Sequence, residues 1–144
     1  MATMSRAKII GTGSFMPQRI LSNDELEIIV DTSDKWITRR TGIKERRISS
    51  KGRRETTTDL AAQAALKAVE MAGISAADLD MIVVGTVTPD RQFPSTGCMV
   101  QTAIGASHAA AFDVSAGCSG FLYALTMAHN AIRAQTSRLV LVLG

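Results

Sequence analysis

An α/β fold built on a parallel sheet is the class that this sequence predicts, and three observations support it. Apolar runs of strand type alternate with segments of helical periodicity along most of the chain. The strongest runs, at residues 81–84 and 138–143, are apolar enough for strands buried on both faces. The 144 residues are 46% hydrophobic and 20% charged, which is enough for a core. The chain therefore suits one compact domain, or one half of a larger two-part enzyme.

The predicted elements follow in order along the chain. They are a strand at 8–13, a helix from about 23 to 30, a short helix ending at Arg40, an exposed strand or extended loop at 43–48, a helix from Thr58 to Ala72, a turn of helix near 75–78, a strand at 81–84, a loop at 88–94, a helix at 95–104, a strand at 109–114, a helix at 121–134 and a strand at 138–143.

Capping residues and apolar stripes justify the helices. Ser22 or Asn23 can cap the first helix, and Thr32 or Ser33 can cap the second. Glycines at 42, 73 and 105 stand where helix C-terminal glycines belong. The helix from Thr58 carries a stripe of mostly small residues, which indicates close packing: Leu60, Ala61, Ala64, Ala65, Ala68, Val69 and Ala72. In the last helix, the residues expected to face the core are Leu122, Leu125, Ala128 and Ile132.

Cys118 lies where the strand at 109–114 turns into the last helix, between Gly117 and Gly120. Small neighbours let the backbone bend sharply, as at the strand-to-helix turn that exposes the nucleophile of many hydrolases. A helix N-terminus offers free amide donors and partial positive charge, which can lower the pKa of a thiol and hold an oxyanion. The turn therefore predicts a nucleophile, against the alternative of a buried structural cysteine.

The second cysteine, the two histidines and the glycines near the N-terminus are not assigned catalytic or binding roles. Cys98 lies inside a helix pattern beside Met99 and is interpreted as structural; the two cysteines lack the spacing of a zinc site. His129 is eleven residues along the same helix as Cys118, so about 16 Å away, and His108 precedes the strand. Neither histidine is expected to reach the thiol. Gly11 and Gly13 start a dinucleotide-type glycine pattern that fails at Met16, so they are interpreted as a turn.

Positive charge is concentrated between Arg39 and Arg54. Eight basic residues stand there against Glu45 alone, a local charge of +7 in a chain whose net charge is +3. We weigh two interpretations, a solvated face and a surface for the phosphates of a nucleic acid or of a phosphorylated small ligand. Few aromatic residues interleave the cluster, which argues against a platform for single-stranded nucleic acid.

Three segments resemble one family, β-ketoacyl-acyl-carrier-protein synthase III. They are VDTSDKWITRRTGIKERRI (30–48), QFPSTGCMVQ (92–101) and AFDVSAGCSGFLYAL (111–125). The resemblance implies a thiolase-like fold with layered α/β/α/β/α architecture. It implies that residues 1–144 are most of the N-terminal half of such an enzyme, and that the chain continues past Gly144. The apolar final strand at 138–143 supports the same expectation, since such a strand usually has neighbours on both sides.

The resemblance also implies roles for particular residues. Cys118 matches the nucleophile that takes an acyl group from acyl-coenzyme A. Trp36 and Arg40 match the pair that binds the adenine end of coenzyme A, with Thr32 nearby. Phe93 matches the residue that lines the acyl pocket of the partner in a homodimer. The His and Asn that decarboxylate malonyl-acyl carrier protein are expected beyond Gly144.

The expected activity is therefore that of an acyltransferase that starts fatty-acid synthesis, with no metal or redox cofactor and with coenzyme A thioester as substrate. We expect a cytoplasmic homodimer that binds acyl-CoA and malonyl-acyl carrier protein, and neither nucleic acid nor membrane. The chain by itself is expected to show little or no condensing activity. Two alternatives stay open: a non-catalytic binding or dimerisation module, and a relative that makes a secondary metabolite.

Overall fold

The structure is a computed structural model that describes residues 6–50 and 55–144. Contacts divide the chain into two compact units, one formed by the residues before Met16 with Thr56–Gly144, the other by Met16–Glu55. The elements in chain order are β1 (Ile20–Ser22), α1 (Asn23–Glu27), α2 (Asp34–Thr41), β2 (Glu45–Arg47), α3 (Thr57–Ala72), β3 (Met81–Gly85), α4 (Thr96–Ile104), β4 (Ala110–Val114), α5 (Gly120–Arg133) and β5 (Val140–Leu143), with 3₁₀ turns at Ala76–Asp78 and Gly117–Ser119.

The larger unit is organised by a parallel sheet in the order β4-β3-β5. Successive side chains of a strand point to opposite faces. Ile82 and Val84 join the buried cluster that α3 and α4 complete on one face. Val83, which is 0% exposed, points to the other face, where α5 packs on β3 and β5. The central strand is therefore covered on both sides, as its unbroken apolar run predicts.

Asp80 ties the start of β5 to the start of β3. Its carboxylate accepts the backbone N–H groups of Arg138 at 2.6 Å and Leu139 at 2.9 Å. These hydrogen bonds, the one from Leu139 more than the one from Arg138, stabilise the charged carboxylate and so hold the pKa of Asp80 below its ordinary value. This carboxylate helps to set the register in which β5 joins the sheet.

The predicted first strand is wrong, because residues 8–13 form no strand. Both sides of β3 are already paired, with β4 and with β5. The segment instead lies against α3, where a Cβ on Gly11 would come within 2.3 Å of the Ala68 carbonyl oxygen. A Cβ on Gly13 would come equally close, 2.3 Å, to the Ala64 carbonyl oxygen. These glycines therefore serve close backbone packing on the small-residue stripe of α3, and not a turn.

The expected core face of α5 is also largely wrong. The buried residues of this helix are Gly120, Ala124 and Ala128. Leu122 is 61% exposed and Leu125 is 36% exposed. The helix thus approaches the sheet along its smallest residues, because close packing of backbone on backbone leaves no space for leucines there.

Asn23, which is 2% exposed, is a buried polar side chain that connects the elements of the smaller unit. Its amide group donates to Asp34 at 2.7 Å and to the Ile43 carbonyl at 2.8 Å, and its oxygen accepts from Arg46 at 2.6 Å. The bond from Asn23, followed by one from Thr38, holds the pKa of Asp34 below its ordinary value. Asn23 thus links α1, the first turn of α2 and β2, which pairs antiparallel with β1.

Most predicted helix ends are confirmed. Ser22 caps α1 in a capping box with Glu25, and Ser33 caps α2. The glycines at 42, 73 and 105 end their helices in the left-handed conformation, with φ of 72°, 66° and 77°. The first helix is shorter than expected and ends at Glu27, not near residue 30.

Candidate active site

Cys118 lies in the 3₁₀ turn Gly117–Ser119, directly between the end of β4 and the start of α5, and its side chain is exposed. Gly117 has φ of 53°, a left-handed conformation that residues with a side chain rarely adopt. This glycine lets the chain reverse in a few residues, so that the thiol stands at the surface. The sequence-based expectation of a strand-to-helix turn at this position is confirmed.

The helix that follows the thiol begins without a side-chain cap. Ser119, at the N-cap position of α5, makes no side-chain hydrogen bond to the first turn, and neither does Ala116 before the 3₁₀ turn. The N–H groups of Ser119 and Gly120 donate within the turn, to the carbonyls of Ala116, at 3.2 Å, and of Gly117. The positive end of the helix dipole beside the exposed thiol favours the negative charge that develops when a thiolate attacks a carbonyl.

Among the described residues, the two histidines offer no general base in the turn. His129 is exposed on α5, and His108 is exposed before β4. At 1.5 Å per residue, His129 stands about 16 Å along the helix axis from Cys118. Cys98 is half-buried in α4 with its Sγ 3.4 Å from the Ala111 carbonyl oxygen, which agrees with a structural role.

Trp36 and Arg40 lie one turn apart on α2, with the Arg40 guanidinium carbon 4.8 Å from the centroid of the indole ring. Trp36 is nevertheless 54% exposed. Two flat groups need roughly 7 Å between them to hold a third, since carbon atoms in contact are about 3.5 Å apart. A base therefore does not fit between them in this arrangement, and the open face of Trp36 is the one that can receive it. Thr32, just before the cap of α2, is half-buried.

The basic cluster separates into two groups. Arg46 and Arg47 support their own unit, donating to the carbonyl of Leu21 at 3.3 Å and that of Gln18 at 3.1 Å respectively. Arg39 and Arg40 are exposed at the end of α2. The remaining members of the cluster at its C-terminal end, Lys51, Arg53 and Arg54, lie outside the residues that the structure describes. The sequence could not separate these groups, because only the fold shows which arginines reach a carbonyl.

Phe93 is 89% exposed on the loop between β3 and α4. Asp90 ties this loop to the N-terminus of α3, accepting the N–H groups of Thr57 and Thr58, each at 2.9 Å. Burial raises the pKa of Asp90, but bonds from the Thr58 hydroxyl and the two N–H groups outweigh it, so the pKa lies below its ordinary value. Sequence analysis missed Asp90, because the anchoring partner is more than thirty residues away.

None of the helices in the described ranges is long and apolar enough to cross a membrane. Over those same ranges, no group of three or more His, Cys, Asp and Glu side chains is arranged to hold a metal ion.

Comparisons with known proteins agree with this arrangement. The family model described as 3-oxoacyl-[acyl-carrier-protein (ACP)] synthase III matches residues 112–144, which include the cysteine turn. The β-ketoacyl-[acyl-carrier-protein] synthase III of Xylella fastidiosa is 54% identical over 138 residues, covering 96% of this chain and 42% of that protein. The crystal structure of 3-oxoacyl-[acyl-carrier-protein] synthase III from Aquifex aeolicus has 51% identity and a TM-score of 0.88, over 92% of this chain and 42% of the other.

A third similar structure is the priming β-ketosynthase of the R1128 polyketide biosynthetic pathway. It has 35% identity and a TM-score of 0.87, over 96% of this chain and 41% of the other. The fold of this chain is therefore that of the corresponding part of these thiolase-fold proteins. Over 96% of its length the chain is similar to proteins of the β-ketoacyl-[acyl-carrier-protein] synthase III family. The chain spans about 42% of the length of the curated relative described above.

Proposed function

We propose that this chain supplies the acyl-accepting cysteine of a condensing enzyme that starts fatty-acid synthesis. The Sγ of Cys118 attacks the thioester carbonyl of a short acyl-CoA, and the bond from that carbonyl to the sulfur of coenzyme A breaks. The thiol proton leaves with coenzyme A, and an acyl-enzyme remains. The observation that carries the proposal is the exposed thiol at the uncapped start of α5.

The second stage uses malonyl-acyl carrier protein. Its carboxylate leaves as carbon dioxide, and the electrons of that bond form a carbanion that attacks the acyl carbonyl on Cys118. The bond from carbonyl to Sγ then breaks, which releases 3-oxoacyl-acyl carrier protein and leaves a Cys118 thiolate that takes up a proton from solvent. The family resemblance assigns decarboxylation to a His and an Asn, and the exposed His108 and His129 are not proposed for that task. No metal or redox group takes part in the proposed steps.

We further propose that α2 binds the nucleotide end of coenzyme A. The open face of Trp36 stacks on adenine, while Arg40 stays over the other face and directs its remaining N–H groups toward a phosphate, with Thr32 nearby. The basic residues at the end of α2 add favourable charge. The exposed Phe93 is proposed to line the acyl pocket of a partner subunit in a cytoplasmic homodimer.

The acylation step is tested by incubating the chain with acetyl-CoA and measuring its intact mass. We expect one added acetyl group, lost in Cys118→Ser and retained in Cys98→Ser, which is the matched control. A wild-type chain that stays unmodified, or that is labelled on Cys98, would remove the basis of the proposal.

The nucleotide site is tested by comparing acetyl-CoA with a short acetyl thioester that lacks the nucleotide. Trp36→Ala should raise the acetyl-CoA concentration for half-maximal labelling roughly tenfold, as loss of one stacked base does elsewhere. Labelling by the short thioester should not change. Arg39→Ala, one residue from Arg40 on the same helix, is the control for general loss of positive charge. Equal effects on both donors would contradict the proposed contact.

A second candidate is a condensing enzyme that starts polyketide assembly, favoured by the likeness to the R1128 priming β-ketosynthase. The chemistry at Cys118 is the same in both candidates. Labelling of Cys118 with a series of acyl-CoA chain lengths would separate them.

A further inference from the structure

Two glycines bring β3 and α5 into backbone contact beside Cys118. A Cβ on Gly85, the last residue of β3, would lie 2.6 Å from the Gly120 carbonyl carbon and 2.7 Å from the Phe121 nitrogen. In the other direction, a Cβ on Gly120 would lie 3.3 Å from the Gly85 Cα. All these neighbours are backbone atoms, so no side chain can rotate to make room. Gly85 is therefore a position where the backbone of α5 requires the absence of a side chain.

The same end of β3 also holds the strand that leads into the cysteine turn. Gly85 pairs with Val114, the last residue of β4, and the Thr86 N–H donates to the Val114 carbonyl at 3.2 Å. Gly120 follows Cys118 by two residues. Both the chain entering the turn and the helix leaving it are thus located against one short piece of β3.

We propose that Gly85 is a positioning residue for Cys118. By allowing the first turn of α5 to lie directly on the end of β3, it sets where the cysteine turn and the start of that helix stand relative to the sheet. Gly85 acts through the helix, since the atoms nearest to its Cβ position belong to the backbone of Gly120 and Phe121. The inference rests on the proposed acylation of Cys118, and goes beyond it by assigning part of the geometry to a residue 33 positions earlier in the sequence.

The distances give the size of the expected effect. An ordinary contact for a Cβ begins at 3.4 Å, so Gly85→Ala must move the start of α5 by about 0.8 Å. Misplacement of a reacting group by about 1 Å can cost on the order of 100-fold in rate. We expect the maximal rate constant for acetylation of Cys118 to fall about 10- to 100-fold in Gly85→Ala, with the half-saturating concentration of acetyl-CoA unchanged.

Gly120→Ala is the second variant and the milder one. The backbone of Gly85 would have to move by only a few tenths of an ångström to accommodate the new Cβ, and Gly120 has the ordinary helical φ of −54°. Alanine is the better helix former, so thermal stability should be retained or raised while the acetylation rate falls about two- to tenfold. A loss of rate without a loss of stability is the result that a merely structural role would not produce.

Gly11→Ala is the matched control. Its Cβ would come within 2.3 Å of backbone on α3, so it introduces a helix–backbone clash in the same unit, but on a helix that does not carry the thiol. Partial unfolding lowers the labelled fraction, whereas a displaced thiol lowers the rate constant of the fraction that reacts. Alkylation of Cys98 in the same molecules reports opening of the core.

Each outcome decides the question. The proposal is supported if Gly85→Ala and Gly120→Ala lower the rate constant while Gly11→Ala lowers only the labelled fraction. It is overturned if both variants acetylate at the wild-type rate constant, or if Gly11→Ala slows acetylation as much. If Gly85→Ala does not fold, Gly120→Ala alone decides between these results.

Failure of the proposed function would be visible separately, as absence of acetylation in the wild-type chain. The positioning role is then measured with iodoacetamide, which needs no substrate site. We expect the alkylation rate of Cys118 to change at least about threefold in the two variants with that of Cys98 unchanged. Unchanged rates at both cysteines would overturn the proposal.

Discussion

The left-handed residue before the thiol gives a direct test of the cysteine turn. Gly117 has φ of 53°, and a Cβ placed there would meet nothing within 4 Å. The cost of Gly117→Ala is therefore conformational and not steric, about 1–2 kcal/mol for a side chain held in the left-handed region. In a chain of 144 residues this corresponds to a decrease in melting temperature of roughly 3–8 °C. Gly117→Asn should cost less, because asparagine tolerates this conformation better.

A matched control separates the strain from its chemical effect. Gly105 ends α4 with φ of 77° and also has open space around its Cβ position, so Gly105→Ala should destabilise the chain to a similar extent. Melting is followed by circular dichroism, and acetylation of Cys118 by intact mass. We expect Gly117→Ala to lose about tenfold or more in acetylation rate, because its turn can relieve strain by moving the thiol. Gly105→Ala should acetylate at the wild-type rate.

If Gly117→Ala melts and acetylates like the wild type, the turn does not need its left-handed residue, which contradicts the role given to Gly117. A second contrary result is an equal loss of acetylation in Gly105→Ala. In that case the loss would follow from general instability and not from the geometry at Cys118.

Three other predictions follow from the packing and the hydrogen bonds. Asn23→Ala should lower the free energy of unfolding by about 2–3 kcal/mol in urea titrations, because it removes hydrogen bonds to two charged partners, Asp34 and Arg46, and one to the Ile43 carbonyl; a change below about 0.5 kcal/mol would contradict its central role. Asp80 and Asp90 have folded pKa values below the ordinary 3.8, so their stabilisation is present above about pH 4 and is lost as the pH falls through the folded values. Melting temperature should accordingly decrease from pH 5 to pH 3, and decrease less in the double Asp→Asn variant; parallel curves would argue against this linkage. Leu122→Gln should change the free energy of unfolding by less than about 0.5 kcal/mol, whereas Ala124→Leu should lower it by about 1–3 kcal/mol through overpacking. A larger loss in Leu122→Gln than in Ala124→Leu would mean that Leu122 faces the core after all, as the sequence predicted.

The exposed apolar residues of α5 explain why the core face of this helix was hard to predict. Phe121, Leu122, Tyr123 and Met127 of this helix are each at least 44% exposed, while its alanines at 124 and 128 are buried. A pattern method assigns the larger apolar residues to the core. Here the backbone contact between Gly85 and Gly120 draws the helix so close to the sheet that only small residues fit.

The arginines illustrate the same limit for the candidate site. Sequence alone showed a local excess of positive charge between residues 39 and 54. It could not show that Arg46 reaches Asn23 and the Leu21 carbonyl, while Arg40 stacks on Trp36. Charge is a property of composition, but a hydrogen bond depends on which strands pair.

Local sequence determined the helix caps, the left-handed glycines, the strand at the centre of the sheet and the turn at Cys118, because each depends on residues within a few positions of one another. The tertiary structure decided that residues 8–13 lie against α3 and form no strand, that α5 packs by its alanines, and that Asp90 and Gly85 serve elements distant in sequence. These features depend on close approach between distant backbone segments. Such an approach leaves no periodic signal in the sequence, because its only mark is a glycine or a short polar residue that could equally belong to a turn.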